Sequence, residues 1–208
     1  MFINGRCVET STFDVCQTVT NNAELVNGIT SDRIANGHSP YDVAMLLHMV
    51  LEKSVPRRIV VYNAPFDISF ISAEFQRLGF SYDWSKIQII DPLVIWRRFH
   101  PFQKGRLADV SARYGIHNPA AHDAGADSAT AGHVYVQMHG QYGILRNPYT
   151  NSLFKGWYET WADSFRQWAA TKDMELDPLD FQWPTRKEWM KWDSQPESLQ
   201  LDLDALSD

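Results

Sequence analysis

Cysteine is scarce in this chain, and long apolar runs, excess positive charge and internal repetition are absent from it. The two cysteines, Cys7 and Cys16, fall in one stretch of extended character, where a bridge is geometrically awkward. Two thiols also cannot make a cysteine-based zinc site, so both read as reduced. No segment approaches the roughly 18 consecutive apolar residues of a membrane span, and the opening MFINGR lacks a secretory apolar region. These features predict a cytoplasmic protein with no membrane partner. A formal net charge of -6 argues against holding nucleic acid by global counterion release, though not against a local grip through metal ions. What is present is a globular composition: 208 residues, 44% apolar and 21% charged. That length supports one domain with a substantial core, or one domain plus an appendage.

The chain alternates strand and helix signals. Phe2 and Ile3, then Asn4-Gly5, then a β-rich stretch from Arg6 to Val19 predict a hairpin. Ser39 and Asp42 form an S-x-x-D start with Pro40 at the first helical position. Val43, Leu46, Leu47, Val50 and Leu51 follow at helical spacing, predicting a helix from about Pro40 to Lys53. The run Ile59-Val60-Val61-Tyr62 lacks polar alternation, as a strand covered on both faces should. A helix from Phe66 to Leu78 ends at Gly79, and a second buried strand spans Ile87 to Ile90. Helices over Leu93 to Phe99, Leu107 to Tyr114 and Asp123 to His139 complete an α/β pattern. The last of these is rich in small residues, which would allow close approach to a strand. Beyond Arg146 lie six of the eight tryptophans. Phe154, Trp157, Tyr158, Trp161, Phe165 and Trp168 form one aromatic helical stripe, read as packing against the preceding domain. Thr185 and Glu188 suggest one more helix start. The expected division is an α/β domain over residues 1–145, a helical tryptophan-rich extension over 146–193 and an acidic tail over 194–208.

Two short segments carry chemistry. Asn63-Ala64-Pro65-Phe66-Asp67 leaves a carboxylate where a strand runs into a helix, at the sheet edge where α/β proteins place ligands. His122-Asp123-Ala124-Gly125-Ala126-Asp127 sets an imidazole just before a helix and a carboxylate inside it. Each has a plainer reading. Asp67 suits a helix dipole or cap, Asp123 a cap, Asp127 a solvated helix face and His122 a loop. Arg97, Arg98, Lys104, Arg106 and Arg113 concentrate positive charge on an acidic chain, as phosphate contacts or as a solvated face.

These segments resemble two motifs of the DEDDh branch of the ribonuclease-H-like 3′→5′ exonucleases, a family that includes proofreading subunits of bacterial DNA polymerase III. N-x-x-F-D matches Asn63 to Asp67, and H-x-A-x-x-D matches His122 to Asp127. Gly28-Ile29-Thr30, Ile90-Asp91-Pro92-Leu93 and Tyr114-Gly115-Ile116 add support. The likeness covers about Met1 to His139. It implies a ribonuclease-H-like mixed sheet flanked by helices. It further implies hydrolysis of DNA or RNA 3′ ends to nucleoside 5′-monophosphates by a two-metal site of Mg2+ or Mn2+. By the same resemblance Asp67 and Asp127 are metal ligands and His122 is the general base that deprotonates the attacking water. Asn63, Phe66, Ile29 and Thr30 would contact the terminal nucleotide, and the partner would be a polymerase or another replication or repair protein.

One element of the pattern is missing. The family's first motif, D-x-E on the central strand, has no counterpart, since Phe13-Asp14-Val15-Cys16 places cysteine where glutamate belongs and Val8-Glu9-Thr10 lacks the paired aspartate. The expectation is an amino-terminally shortened member without its central strand and with impaired hydrolysis. The alternative is a catalytically inactive nucleic-acid-binding or scaffold protein with the same fold.

Overall fold

The structure is a computed structural model that describes residues 2–3, 6–7, 28–53, 58–118, 120–146, 151–176 and 181–185. Strands β1 (Phe2–Ile3) and β2 (Arg6–Cys7) pair antiparallel, Phe2 with Cys7 and Ile3 with Arg6. The expected continuation to Val19 lies outside the described residues. So do the lookalike motif residues Glu9, Asp14 and Cys16, the helix expected after Thr185 and the acidic end.

Helix α1 (Ser31–Ala35) is capped by Thr30, whose Oγ1 accepts from the Arg33 amide at 3.2 Å. Helix α2 (Pro40–Lys53) begins as the S-x-x-D pattern predicts. The Asp42 amide donates to Ser39 Oγ at 3.1 Å while Ser39 Oγ donates back to Asp42 Oδ2 at 2.6 Å, satisfying a helix-end donor that would otherwise be orphaned. Strand β3 (Arg58–Val60) leads into helix α3 (Ala64–Arg77). Gly79, at φ +77°, closes α3 with a paired 5→2 and 6→1 pattern: its amide reaches Gln76 O at 3.2 Å, and the Phe80 amide reaches Phe75 O at 2.8 Å. Only a residue without Cβ takes that backbone cheaply.

Strand β4 (Gln88–Ile90) pairs parallel to β3, Ile59 opposite Ile89. Helices α4 (Pro92–Phe99), α5 (Leu107–Arg113), α6 (Ala124–Gln141) and α7 (Asn151–Ala170) follow. The fold is mixed α/β, with a small parallel sheet overlaid by helices.

Two strand expectations need correction. β3 is not covered on both faces, because Arg58 is exposed and Val60 is 37% exposed; only Ile59 between them turns inward. The β-branched run therefore reflects strand propensity more than burial. Its ladder also ends sooner than predicted, since Val61 retains a bond to Ile90 O (2.9 Å) but Tyr62 has already entered the turn. β4 does match a buried strand, with Ile89 and Ile90 both enclosed.

The principal core joins Ile90, Trp96, Val134, Met138, Phe154 and Tyr158. Helix α4 packs on α7 and α6, α5 on α6, and α6 on β3 and β1. The small residues of α6 allow that approach only in part. Ala131 is buried, whereas a Cβ on Gly132 would meet nothing within 4 Å, so glycine is not demanded there by packing. Fully burying a side chain such as Phe154 contributes about 2–3 kcal/mol. Along α7 the aromatic stripe divides. Phe154 and Tyr158 enter the core, Trp157 and Trp161 lie half-buried against it, and Trp168 is exposed. Phe181 folds back over Trp161 and Phe165 with ring centroids 6.0 and 5.7 Å away.

β4 has a neighbour that no periodicity predicts. Asn151, first residue of α7, accepts from the Ile89 amide at 3.0 Å and donates to Ile87 O at 2.7 Å. Its side-chain amide takes the place of a strand partner along that edge. No helix among the described residues is long and apolar enough to cross a membrane.

Candidate active site

The β3–α3 connection is built around one buried carboxylate. Beyond Val61 the chain turns sharply at Asn63, whose φ of 61° and ψ of 49° are left-handed, a conformation asparagine tolerates better than most residues. The turn is held from the neighbouring strand end. Asp91, 1% exposed, accepts from the Asn63 amide at 3.0 Å, the Ala64 amide at 2.9 Å and the Leu93 amide at 2.8 Å. One side chain thus caps α4 and anchors the first residues of α3. Burial pushes the Asp91 carboxyl up to about 6, outweighing the three amides and Arg97, which favour the anion. The sequence named Asp91 only as supporting similarity. Neither its capping of α4 nor its reach to Asn63 and Ala64 was read from the spacing.

Asp67 sits in the first turn of α3, exposed, beside the positive end of the helix dipole. Desolvation by the surrounding protein raises its carboxyl above the ordinary range, offset in part by its own backbone N–H. A carboxylate so placed gains most from a nearby cation. Phe66 and Phe70 flank it on the helix surface, 42% and 52% exposed, with ring centroids 5.0 Å apart at 68°.

The second segment lies at the start of α6. His122 is exposed and has φ 73°, again left-handed. Asp123 is the N-cap, accepting from the Ala126 amide at 2.8 Å. Asp127, half-buried in the first turn, takes a 2.6 Å bond from Asn118 Nδ2. Asn118 Oδ1 in turn accepts from the Ala120 amide at 3.2 Å, so one amide side chain ties the approach loop to Asp127. Sequence reasoning missed Asn118, for nothing in the spacing singles it out. Of the residues expected to touch a nucleotide, Ile29 is half-buried and Thr30 is engaged in capping α1.

Helix α6 borders β3, the strand that runs on into the Asp67 helix. Among the described residues no three His, Cys, Asp or Glu side chains gather into a group able to hold a metal ion. Asp67 and Asp127 are hard oxygen donors suited to magnesium or manganese. Neither carboxylate belongs to a group of three such side chains among the described residues.

The sequence profile of a family described as RNase_T, exonuclease, matches residues 4–135. DNA polymerase III subunit epsilon of Buchnera aphidicola subsp. Schizaphis graminum is 32% identical over 139 residues, 62% of this chain and 56% of that protein. The same subunit of Pasteurella multocida is 28% identical over 118 residues, 55% of this chain and 46% of the relative. That of Buchnera aphidicola subsp. Acyrthosiphon pisum is 26% identical over 193 residues, 89% and 77% of the two chains. The chain spans about half the length of the first two of these curated relatives. Among solved structures, Exonuclease X in complex with 5′ overhanging duplex DNA superposes with a TM-score of 0.49 at 17% identity, covering 68% of this chain and 79% of that one.

Proposed function

From the premise that the chain belongs to this exonuclease family, we propose that it is a 3′→5′ exonuclease domain releasing nucleoside 5′-monophosphates from free 3′ ends of DNA or RNA. The observation that carries the reading is the family match over residues 4–135, which encloses every assigned position from Ile29 and Thr30 through Asn63, Phe66 and Asp67 to His122 and Asp127. Residues 1–145 would form the catalytic domain, with α7 in the extension over 146–193 and the acidic 194–208 following. The relatives named as polymerase subunits make a polymerase the partner to test first, for a protein working in the cytoplasm.

In this reading Asp67 and Asp127 would hold magnesium or manganese. When bound, such ions activate water and stabilise the departing 3′ oxygen. Asn118 fixes the Asp127 carboxylate through its 2.6 Å bond. Asp91 fixes the turn from which α3 presents Asp67. His122, exposed at the mouth of α6, takes the proton of the attacking water. Asn63, Phe66, Ile29 and Thr30 position the terminal nucleotide.

The missing D-x-E motif makes hydrolysis by this 208-residue chain slow. A 5′-labelled single strand incubated with magnesium or manganese should shorten from its 3′ end one nucleotide at a time, slowly, and stop on chelation. His122→Ala should reduce that rate by about 100-fold or more. Cleavage from the 5′ end or indifference to Asp127→Asn would sink the assignment, and brisk turnover would overturn the impairment. The lack of a D-x-E pair ahead of Asn63 favours a second reading: an inactive nucleic-acid-binding protein of the same fold. Strand binding without any mononucleotide release would establish it.

A further inference from the structure

The loop over residues 100–106, between α4 and α5, presents Phe102 to solvent at 103% relative exposure with φ 67°. A bulky side chain in the left-handed region is a true outlier, and exposing the ring gains nothing from burial. The loop itself is firmly held. The Gln103 amide reaches His100 O at 3.3 Å, Trp96 Nε1 donates to Lys104 O at 3.0 Å, and the Tyr62 hydroxyl donates to Gly105 O at 2.8 Å. His100 stacks on Trp96 with centroids 3.9 Å apart, and its Nε2 lies 2.7 Å from the Tyr142 hydroxyl. A Cβ on Gly105 would come within 2.6 Å of Leu93 Cδ1, so the returning chain presses on the first turn of α4. The scaffold therefore fixes the stem and offers the ring.

Charge identifies what the ring meets. Residues 97–113 hold five cations, Arg97, Arg98, Lys104, Arg106 and Arg113, against the single anion Asp109, within a chain of net charge -6. Arg97 lies 3.4 Å over the Trp161 ring and Arg106 bonds Asp109 at 2.6 Å, while Arg98, Lys104 and Arg113 are exposed. An exposed aromatic among exposed cations complements a polyanion with stacking faces, which is a single strand of nucleic acid. The loop stem meets Tyr62, just before the Asn63 turn, and the eight-residue α4 spans about 12 Å. Through the Gly105 carbonyl, the loop that bears Phe102 is thus tied to the strand end that leads into the Asp67 helix.

We infer that Phe102 is a base-stacking residue that holds the single strand behind its 3′ end, with Arg98 and Lys104 taking the neighbouring phosphates. The ligand class rests on the exonuclease reading, but binding can be measured without hydrolysis. The test is fluorescence anisotropy of a labelled oligothymidylate with chelator present, on the full chain. Phe102→Ala should weaken binding about five- to tenfold, and Phe102→Trp should preserve it. Phe102→Gly should weaken binding equally while raising Tm by about 2 °C, because glycine accepts the backbone angle. Blunt duplex, whose bases are stacked away, should be indifferent to all three.

Unchanged oligothymidylate binding in the alanine and glycine variants would overturn the inference, as would no binding by the unmodified chain. Loss of association with a polymerase subunit while strand binding persists would reassign Phe102 to a protein contact and overturn it too. Phe102-dependent binding without mononucleotide release would leave this inference standing while the hydrolytic reading fell. Release that ignores Phe102 would do the reverse.

Discussion

Asp91 accepts three amides from a position with almost no solvent contact, and its carboxyl titrates at about 6. A folded-state value above the unfolded one, about 4, means that the folded chain holds the proton more tightly. The group's stabilising contribution is then complete below about pH 4 and is lost as pH rises towards 6. Asp91→Asn removes this titration, so the stability advantage of the unmodified chain over the variant should narrow across that window. Urea midpoints measured at a series of pH values check this, and a gap independent of pH would refute it. At the same scale, Asp67 and Asp123 were readable from sequence because local spacing to a helix start defines them. Asn118 was not, because its bond to Asp127 crosses a loop whose path no periodicity encodes.

Among elements, α2 was legible to its ends because a capping pair and an apolar repeat agree with each other. β3 misled because β-branched residues favour extended backbone whether or not both faces are covered. The Asn151 amide along β4 was illegible, since the contact joins segments more than sixty positions apart. Replacing it with leucine leaves the Ile89 N–H and Ile87 C=O unpaired in an enclosed place, and should cost about 2–4 kcal/mol in chemical denaturation. A loss below half of that would show that the edge is satisfied in another way. Phe154→Ala, emptying a fully enclosed ring site against Trp157 and Trp183, should cost about 3–5 kcal/mol. Because α7 shares one core with α4 and α6, a chain ending at residue 146 should lose cooperative unfolding. A sharp two-state melt of that fragment would instead mark α7 as separable.

For the molecule as a whole, net charge opposes the binding that the loop and its cations favour. If Arg98, Lys104 and Arg113 supply about three phosphate contacts, the logarithm of affinity for a single strand should fall with the logarithm of salt at a slope of about -2. Anisotropy titrations over a range of potassium chloride concentrations measure it, and a slope near zero would remove phosphate contact from the account. The pairing of Asp91 with both helix starts has a further consequence. Three exchangeable hydrogens, on Asn63, Ala64 and Leu93, depend on a single oxygen pair. In deuterated water they should swap in lockstep, at the rate of one opening event, because neither helix can drift from the other without surrendering the whole latch.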